Sequence, residues 1–193
     1  MSTYAFVLSI ITYFLAAIPF GLLISNLKGI DLRKVGSGNI GATNVYRALG
    51  VKYAVGVFFL DGFKGWLPTF LSVIFIDATW IHVCIGFIAI AGHSLSLFVK
   101  FKGGKGAATG IGVICALSPI ICLIIVITAI LIIYLTRYVS LATILCSILT
   151  PILFYLQGYP ISYITFLCLI CLFIIIRHKS NLARLLKGKE NKI

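Results

Sequence analysis

Four stretches of the sequence bring together residue types suited to holding negative charge. Residues 36–47 carry Gly36, Gly38 and Gly41, hydroxyls at Ser37 and Thr43, amides at Asn39 and Asn44, and the guanidinium of Arg47. Glycines let successive backbone N–H groups converge into an anion nest, and a guanidinium can bind two phosphate oxygens at once. In residues 100–109, Gly103, Gly104 and Gly106 surround Lys105 and lead to Thr109. The pattern is not GxxxxGK[ST] and no strand precedes it. Its physics is still that of an anion loop: free N–H groups open a helix whose N-terminus is partly positive. In residues 177–190, Leu182, Leu185 and Leu186 have the spacing of an amphipathic surface helix. His178 and Asn181, three apart, share a face. These residues alone fit a polybasic anchor or a binding site. The fourth stretch places Asp61 and Lys64 at i, i+3 within an apolar run. Charges there are costly and pair up, so this pair is expected to brace the fold, the alternative being that it lines the cavity.

Several chemistries are missing. No histidine is followed by an aspartate in the HxxxxD arrangement of coenzyme-A acyltransferases, and no GxSxG elbow occurs. His82, His93 and His178 with four acids make no metal-ligand cluster. No metal and no cofactor are expected. Catalysis here must rest on positioning and positive charge.

The elements that hold these segments are membrane spans. Of 193 residues, 61% are apolar and 10% charged, against roughly 45–50% and 25% in soluble domains; mean hydropathy is +1.16. A soluble nucleic-acid-binding module, a secreted disulfide scaffold and a disordered tail are excluded, and no nucleic-acid partner is expected despite a net charge of +12. The six cysteines sit in apolar runs and read as small packing residues.

Apolar runs cover residues 4–24, 53–76, 80–99, 106–135, 138–156 and 159–176. The first is long enough to span a bilayer and is expected to be retained rather than removed as a signal. The run 106–135 is too long for one span and is broken at Ser118-Pro119. If the chain turns there, every basic residue except Lys64 falls on one side, as the bias toward cytoplasmic Lys and Arg requires. The expectation is an all-α integral membrane protein of one domain, residues 1–193. It has about seven transmembrane helices, the N-terminus outside and the C-terminus cytoplasmic, and its chemistry occupies the short inner segments. A small anion transporter would use similar glycines and cations. It would also need polar residues at the midplane and often shows repeated halves; here the polar residues gather on one face and no repeat is evident.

The segments GSGNIGATNVYRALG, GHSLSLFVKFKGGKGAATG and RHKSNLARLLKGKE, in this order and with the shorter LDGFKG, resemble the three motifs of the bacterial acyl-phosphate:glycerol-3-phosphate acyltransferase family, PlsY. The resemblance covers most of the chain. It implies a multi-pass enzyme of the bacterial cytoplasmic (inner) membrane, with its active site facing the cytoplasm. Such an enzyme transfers a fatty acyl group from acyl phosphate to the 1-hydroxyl of glycerol 3-phosphate. The products are lysophosphatidic acid and phosphate, in the first acylation of phospholipid synthesis, without acyl-CoA or acyl carrier protein. Carried over by motif, Ser37, Arg47, Lys105, His178 and Asn181 are the expected catalytic set. Gly38, Asn39, Thr43, Asn44, Gly103, Gly104, Gly106, Thr109, Thr143 and Glu190 are expected to bind substrate. Leu95 and Ser96 depart from the family's aromatic-Pro pair ahead of the glycine loop.

Overall fold

The structure, a computed structural model, describes residues 3–193. Every regular element among them is helical. The first apolar run is split into α1 (Thr3–Ala17) and α2 (Phe20–Asn26). Pro19 causes the split, because it has no N–H to continue the ladder. The carbonyls freed at the break find side-chain donors: Ser96 Oγ donates to Ala17 O at 2.6 Å and Lys64 Nζ to Ile18 O at 2.8 Å.

After α3 (Ala42–Leu49) come α4 (Val51–Phe75) and α5 (Thr79–Ser94). The long run 106–135 divides into α6 (Ala107–Leu117) and α7 (Pro119–Thr136). Pro119 is well placed at the first helical position, and Ser118 Oγ caps α7 by accepting from Ile121 N at 3.4 Å. The Cys122 thiol lies 3.6 Å from Ile111 O. In a continuous helix these residues would be about 16 Å apart along the axis, so α7 doubles back beside α6, as the charge pattern anticipates. Then follow α8 (Val139–Leu156), α9 (Ile161–Arg177) and α10 (Lys179–Leu186).

The seven expected spans differ in length. Five stretches are long and apolar enough to cross a membrane: Thr3–Asn26, Val51–Phe75, Thr79–Val99, Pro119–Thr136 and Val139–Leu156. A sixth is reached if α9 and α10, which meet at 62°, count together. α6, with 11 residues, is shorter than an ordinary span.

α6 is held by close contact with α4. A Cβ on Gly112 would lie 1.9 Å from Gly62 O, and one on Gly65 would lie 2.3 Å from Thr109 O. Small residues at a helix seam allow this approach in an apolar medium, where packing rather than hydrophobicity joins helices. The seam fixes where the loop before α6 can sit.

The charged pair of α4 braces the bundle from within. Lys64 Nζ is 2.8 Å from Asp61 Oδ1, both side chains being buried, and the ammonium also holds the carbonyl at the break after α1. His93 of α5 joins them, its Nδ1 3.6 Å from the same carboxylate oxygen. The group ties three parts of the bundle together. Removing one partner of a buried ion pair strands the other, at a cost of roughly 3–5 kcal/mol. Asp61→Asn is therefore expected to lower the thermal midpoint of the detergent-purified protein markedly; a midpoint equal to the parent's would show that the pair does not brace the bundle.

Candidate active site

The three motif segments meet at one end of the helix bundle, around a cavity of about 400 Å³. Its polar end is lined by Ser37, Asn39, Thr43, Asn44, Arg47, Lys105, Gly106, His178, Asn181 and Glu190. From there it runs between apolar walls that include Ile111, Ile125, Ala129, Cys146, Leu167 and Ile174, from α6, α7, α8 and α9.

The first motif is half loop and half helix. Asn44, buried on α3, staples the loop: its Nδ2 donates to Leu32 O and Val35 O, each at 3.0 Å, and its Oδ1 accepts from Ser37 N at 2.9 Å. Gly36 has φ +57°, and a Cβ there would lie 2.3 Å from Asn44 Oδ1. Asn44 thus spends its amide on the backbone and presents Ser37 to the cavity. Arg47 faces the same space, with Nη2 donating to Asn191 O at 3.1 Å.

The second motif lies against α5. A Cβ on Gly103 would meet His93 O at 2.1 Å, and one on Gly104 would meet His93 Nε2 at 2.1 Å. These glycines allow the loop to rest on His93. Gly106, at φ +85°, turns the chain into α6, whose first residues, Ala107 and Ala108, also line the cavity. Thr109 is buried and faces the α4 seam instead. Gly38, Gly103, Gly104 and Thr109 are not on the cavity wall, whereas the other expected residues are. Thr143 lines it with its hydroxyl donated to Val139 O at 2.9 Å.

The third motif closes the polar end. The bend between α9 and α10 brings His178 and Asn181 beside Lys105, whose ammonium donates to Asn181 Oδ1. Beyond α10 the chain folds back. Glu190, its side chain 5% exposed, accepts from Asn181 Nδ2 at 2.6 Å, Ser140 Oγ at 2.9 Å and Arg184 Nε at 2.7 Å. Burial raises the Glu190 carboxyl, but these hydrogen bonds outweigh it and hold the group below the ordinary glutamate value. The tail continues to Ile193, whose N–H donates to Arg137 O at 3.1 Å and whose carbonyl accepts from Arg137 Nε at 3.0 Å.

Ser140 and Arg184 are site residues that the motif spacing did not single out. Ser140 lies one turn before Thr143, and that i, i+3 relation was the available signal. The leucines of α10 behave as a surface helix demands: Leu182 and Leu186 are exposed while Asn181 is buried.

Positive charge dominates the polar end. Burial, with repulsion from Arg184, Arg177 and Arg47, brings the Lys105 pKa down to about 8 although Glu190 opposes the shift. Burial is also the main cause that lowers His178 to about 4. Its Nδ1 lies 2.8 Å from Ile174 O. A carbonyl only accepts, so Nδ1 carries the proton and Nε2 is left as an acceptor.

A cationic mouth joined to an apolar channel defines a membrane protein built for an anionic amphiphile. The chain belongs to the glycerol-3-phosphate acyltransferase family, whose model matches residues 6–188. It is 44% identical to the glycerol-3-phosphate acyltransferase of Aquifex aeolicus over 189 residues, 97% of this chain and 98% of that one. It is also 44% identical to that of Fusobacterium nucleatum over 184 residues, 95% of each chain. Crystal structures of PlsY (YgiH), an integral membrane glycerol 3-phosphate acyltransferase, superpose closely. The glycerol 3-phosphate form gives a TM-score of 0.95 at 44% identity, covering 98% of this chain and 96% of that one. The lysophosphatidic acid form gives 0.93 at 42%, covering 98% and 95%.

The Lys105 ammonium is charged below about pH 8 and neutral above it, so affinity for a phosphate is expected to fall as pH rises through that value. The kcat/KM profile should show a basic limb near pH 8, and Lys105→Arg, whose guanidinium stays protonated, should remove it. A parent profile flat from pH 7 to about 9.5 would exclude a depressed Lys105 in the free enzyme.

Proposed function

We propose that this protein transfers a fatty acyl group from acyl phosphate to the 1-hydroxyl of glycerol 3-phosphate, releasing lysophosphatidic acid and phosphate. The observation that carries this reading is the junction of two cationic anchors, Arg47 and Lys105, with an apolar channel in one cavity. Both proposed substrates bear a phosphate, and the donor also bears a tail that suits the channel. The relatives named glycerol-3-phosphate acyltransferase support the acceptor, and the solved lysophosphatidic acid form of a relative supports the product.

The proposed setting is the bacterial inner membrane. Seven spans run from an outer N-terminus to a cytoplasmic C-terminus, and the cavity mouth opens on the cytoplasmic side. The meeting of all three basic motif segments at one end of the bundle supports this orientation.

The chemistry follows from the donor, a mixed anhydride with a good leaving group. The 1-hydroxyl oxygen attacks the acyl carbonyl carbon, the bond from that carbon to the phosphate oxygen breaks, and the hydroxyl proton ends on the departing phosphate. Lys105, Arg47 and Ser37 hold the phosphates, and the two cations stabilise charge that develops during attack. An imidazole with a pKa of about 4 is a weak base, and Glu190, the carboxylate whose charge acts on it, is engaged with Asn181, Arg184 and Ser140. A donor phosphate oxygen therefore takes the proton. His178 Nε2 and Asn181 align glycerol 3-phosphate. No acyl-CoA or acyl carrier protein enters the scheme.

Purified protein given palmitoyl phosphate and glycerol 3-phosphate, without CoA, is expected to form lysophosphatidic acid; no product under these conditions rejects the proposed donor. Lys105→Ala and Arg47→Ala should each reduce turnover by orders of magnitude with the protein still inserted in the membrane. His178→Asn is expected to act mainly on the KM for glycerol 3-phosphate. Near-complete loss of kcat at saturating substrate would instead make His178 the base.

A further inference from the structure

The loop of Gly103 to Gly106 is held by two residues. His93 lies beneath Gly103 and Gly104. The second hold is Arg177, the last residue of α9, which does not line the cavity. Its Nη2 donates to Ser94 O at 3.3 Å, to Gly103 O at 3.2 Å and to Gly104 O at 3.1 Å. Two of these carbonyls belong to consecutive peptide groups of the loop. In a planar trans peptide the C=O and the following N–H point in opposite directions. Drawing Gly103 O and Gly104 O toward Arg177 therefore turns the N–H groups of Gly104 and Lys105 the other way.

Those two donors are free. Among the described residues neither the Gly104 nor the Lys105 N–H meets an acceptor, although Gly104 is buried. Buried backbone donors almost always have a partner, so the pair is poised for an acceptor that the protein does not supply. Beside them stands the Lys105 side chain, which lines the cavity.

We propose that Arg177 is a positioning residue that organises the anion nest: by gripping the Gly103 and Gly104 carbonyls it aims the Gly104 and Lys105 N–H groups at a substrate phosphate without touching that phosphate itself. This rests on the reading of the glycine loop as a phosphate site. The role needs a donor able to reach several carbonyls from one place, which a planar guanidinium does with little loss of freedom. The arginine next to a catalytic histidine thus acts through backbone orientation rather than through its charge in the cavity.

The test compares Arg177→Ala, Arg177→Lys and Lys105→Ala in the full-length, detergent-purified protein. Monodispersity and thermal midpoint establish which variants fold, and Arg177→Lys serves if Arg177→Ala does not. Inorganic phosphate is the probe, used as an inhibitor at fixed substrate. Misaimed donors cost up to about a hundredfold, so Arg177→Ala should weaken phosphate inhibition by about tenfold or more, with a matching loss of kcat/KM. Added guanidinium at non-denaturing concentration should restore both in part, and Arg177→Lys should fall between parent and Ala. Unchanged phosphate inhibition in Arg177→Ala overturns the proposal. So does a loss that is equal in Lys and Ala variants and insensitive to guanidinium, because that is the mark of packing alone. Parent-like phosphate inhibition in Lys105→Ala would remove the phosphate-loop reading itself, and is distinguishable because it leaves the Arg177 contacts intact.

Discussion

A helix broken inside an apolar medium leaves backbone carbonyls with no water to satisfy them, and side chains must do so instead. This constraint explains most of the polar architecture. At the break after α1, Lys64 and Ser96 reach the free carbonyls from α4 and from the end of α5. Where the chain leaves α5 and loops toward α6, Arg177 takes three carbonyls. Each break is thus tied to a distant part of the chain, and the ties fix how the helices stand around the cavity. The cations among these residues serve the backbone first.

The remaining cations create a second problem. Arg47, Lys105 and Arg184 crowd one end of the bundle, and their repulsion adds to the burial that lowers Lys105. Glu190 is the carboxylate that offsets them, and it is held by Ser140, Asn181 and Arg184 from two helices. The polar end keeps a surplus of positive charge even so. Such a surplus costs stability in the empty protein and is relieved when a dianionic substrate enters, which is the condition for binding energy to be spent at the reacting centre.

Much of this was legible in the residues. The apolar runs located the helices, and Ser118-Pro119 marked the point where α7 turns back, because proline cannot continue the preceding helix. The glycine and cation clusters located the cavity mouth, and the i, i+3 spacing of Asp61 and Lys64 announced their pairing. What composition could not reveal was which donors are free. Asn44 reads as a substrate amide, yet both its N–H donors and its Oδ1 are engaged by the loop it closes. Gly103 and Gly104 read as loop glycines for an anion, and the spacing gave no sign that their missing side chains also make room for His93. Ser140 and Arg184 joined the site when the tail folded back to bring Glu190 onto both, a contact that for Ser140 spans fifty residues. A turn at Ser118-Pro119 makes for short helices, and the short α6 survives because glycines let it lie tightly on α4.

That shortness shapes the cavity. α6 has 11 residues and its antiparallel neighbour α7 has 18, a difference of about 10 Å in helix length. At the start of α6 Gly104 and Gly106 are buried and Gly103 and Lys105 half-buried, so the glycine loop is recessed. For the proposed donor, a mixed anhydride prone to hydrolysis, such a recess would limit the competition of bulk water with the alcohol. In the proposed reaction the apolar walls of the same cavity would keep the lipid tail out of water while its head is processed.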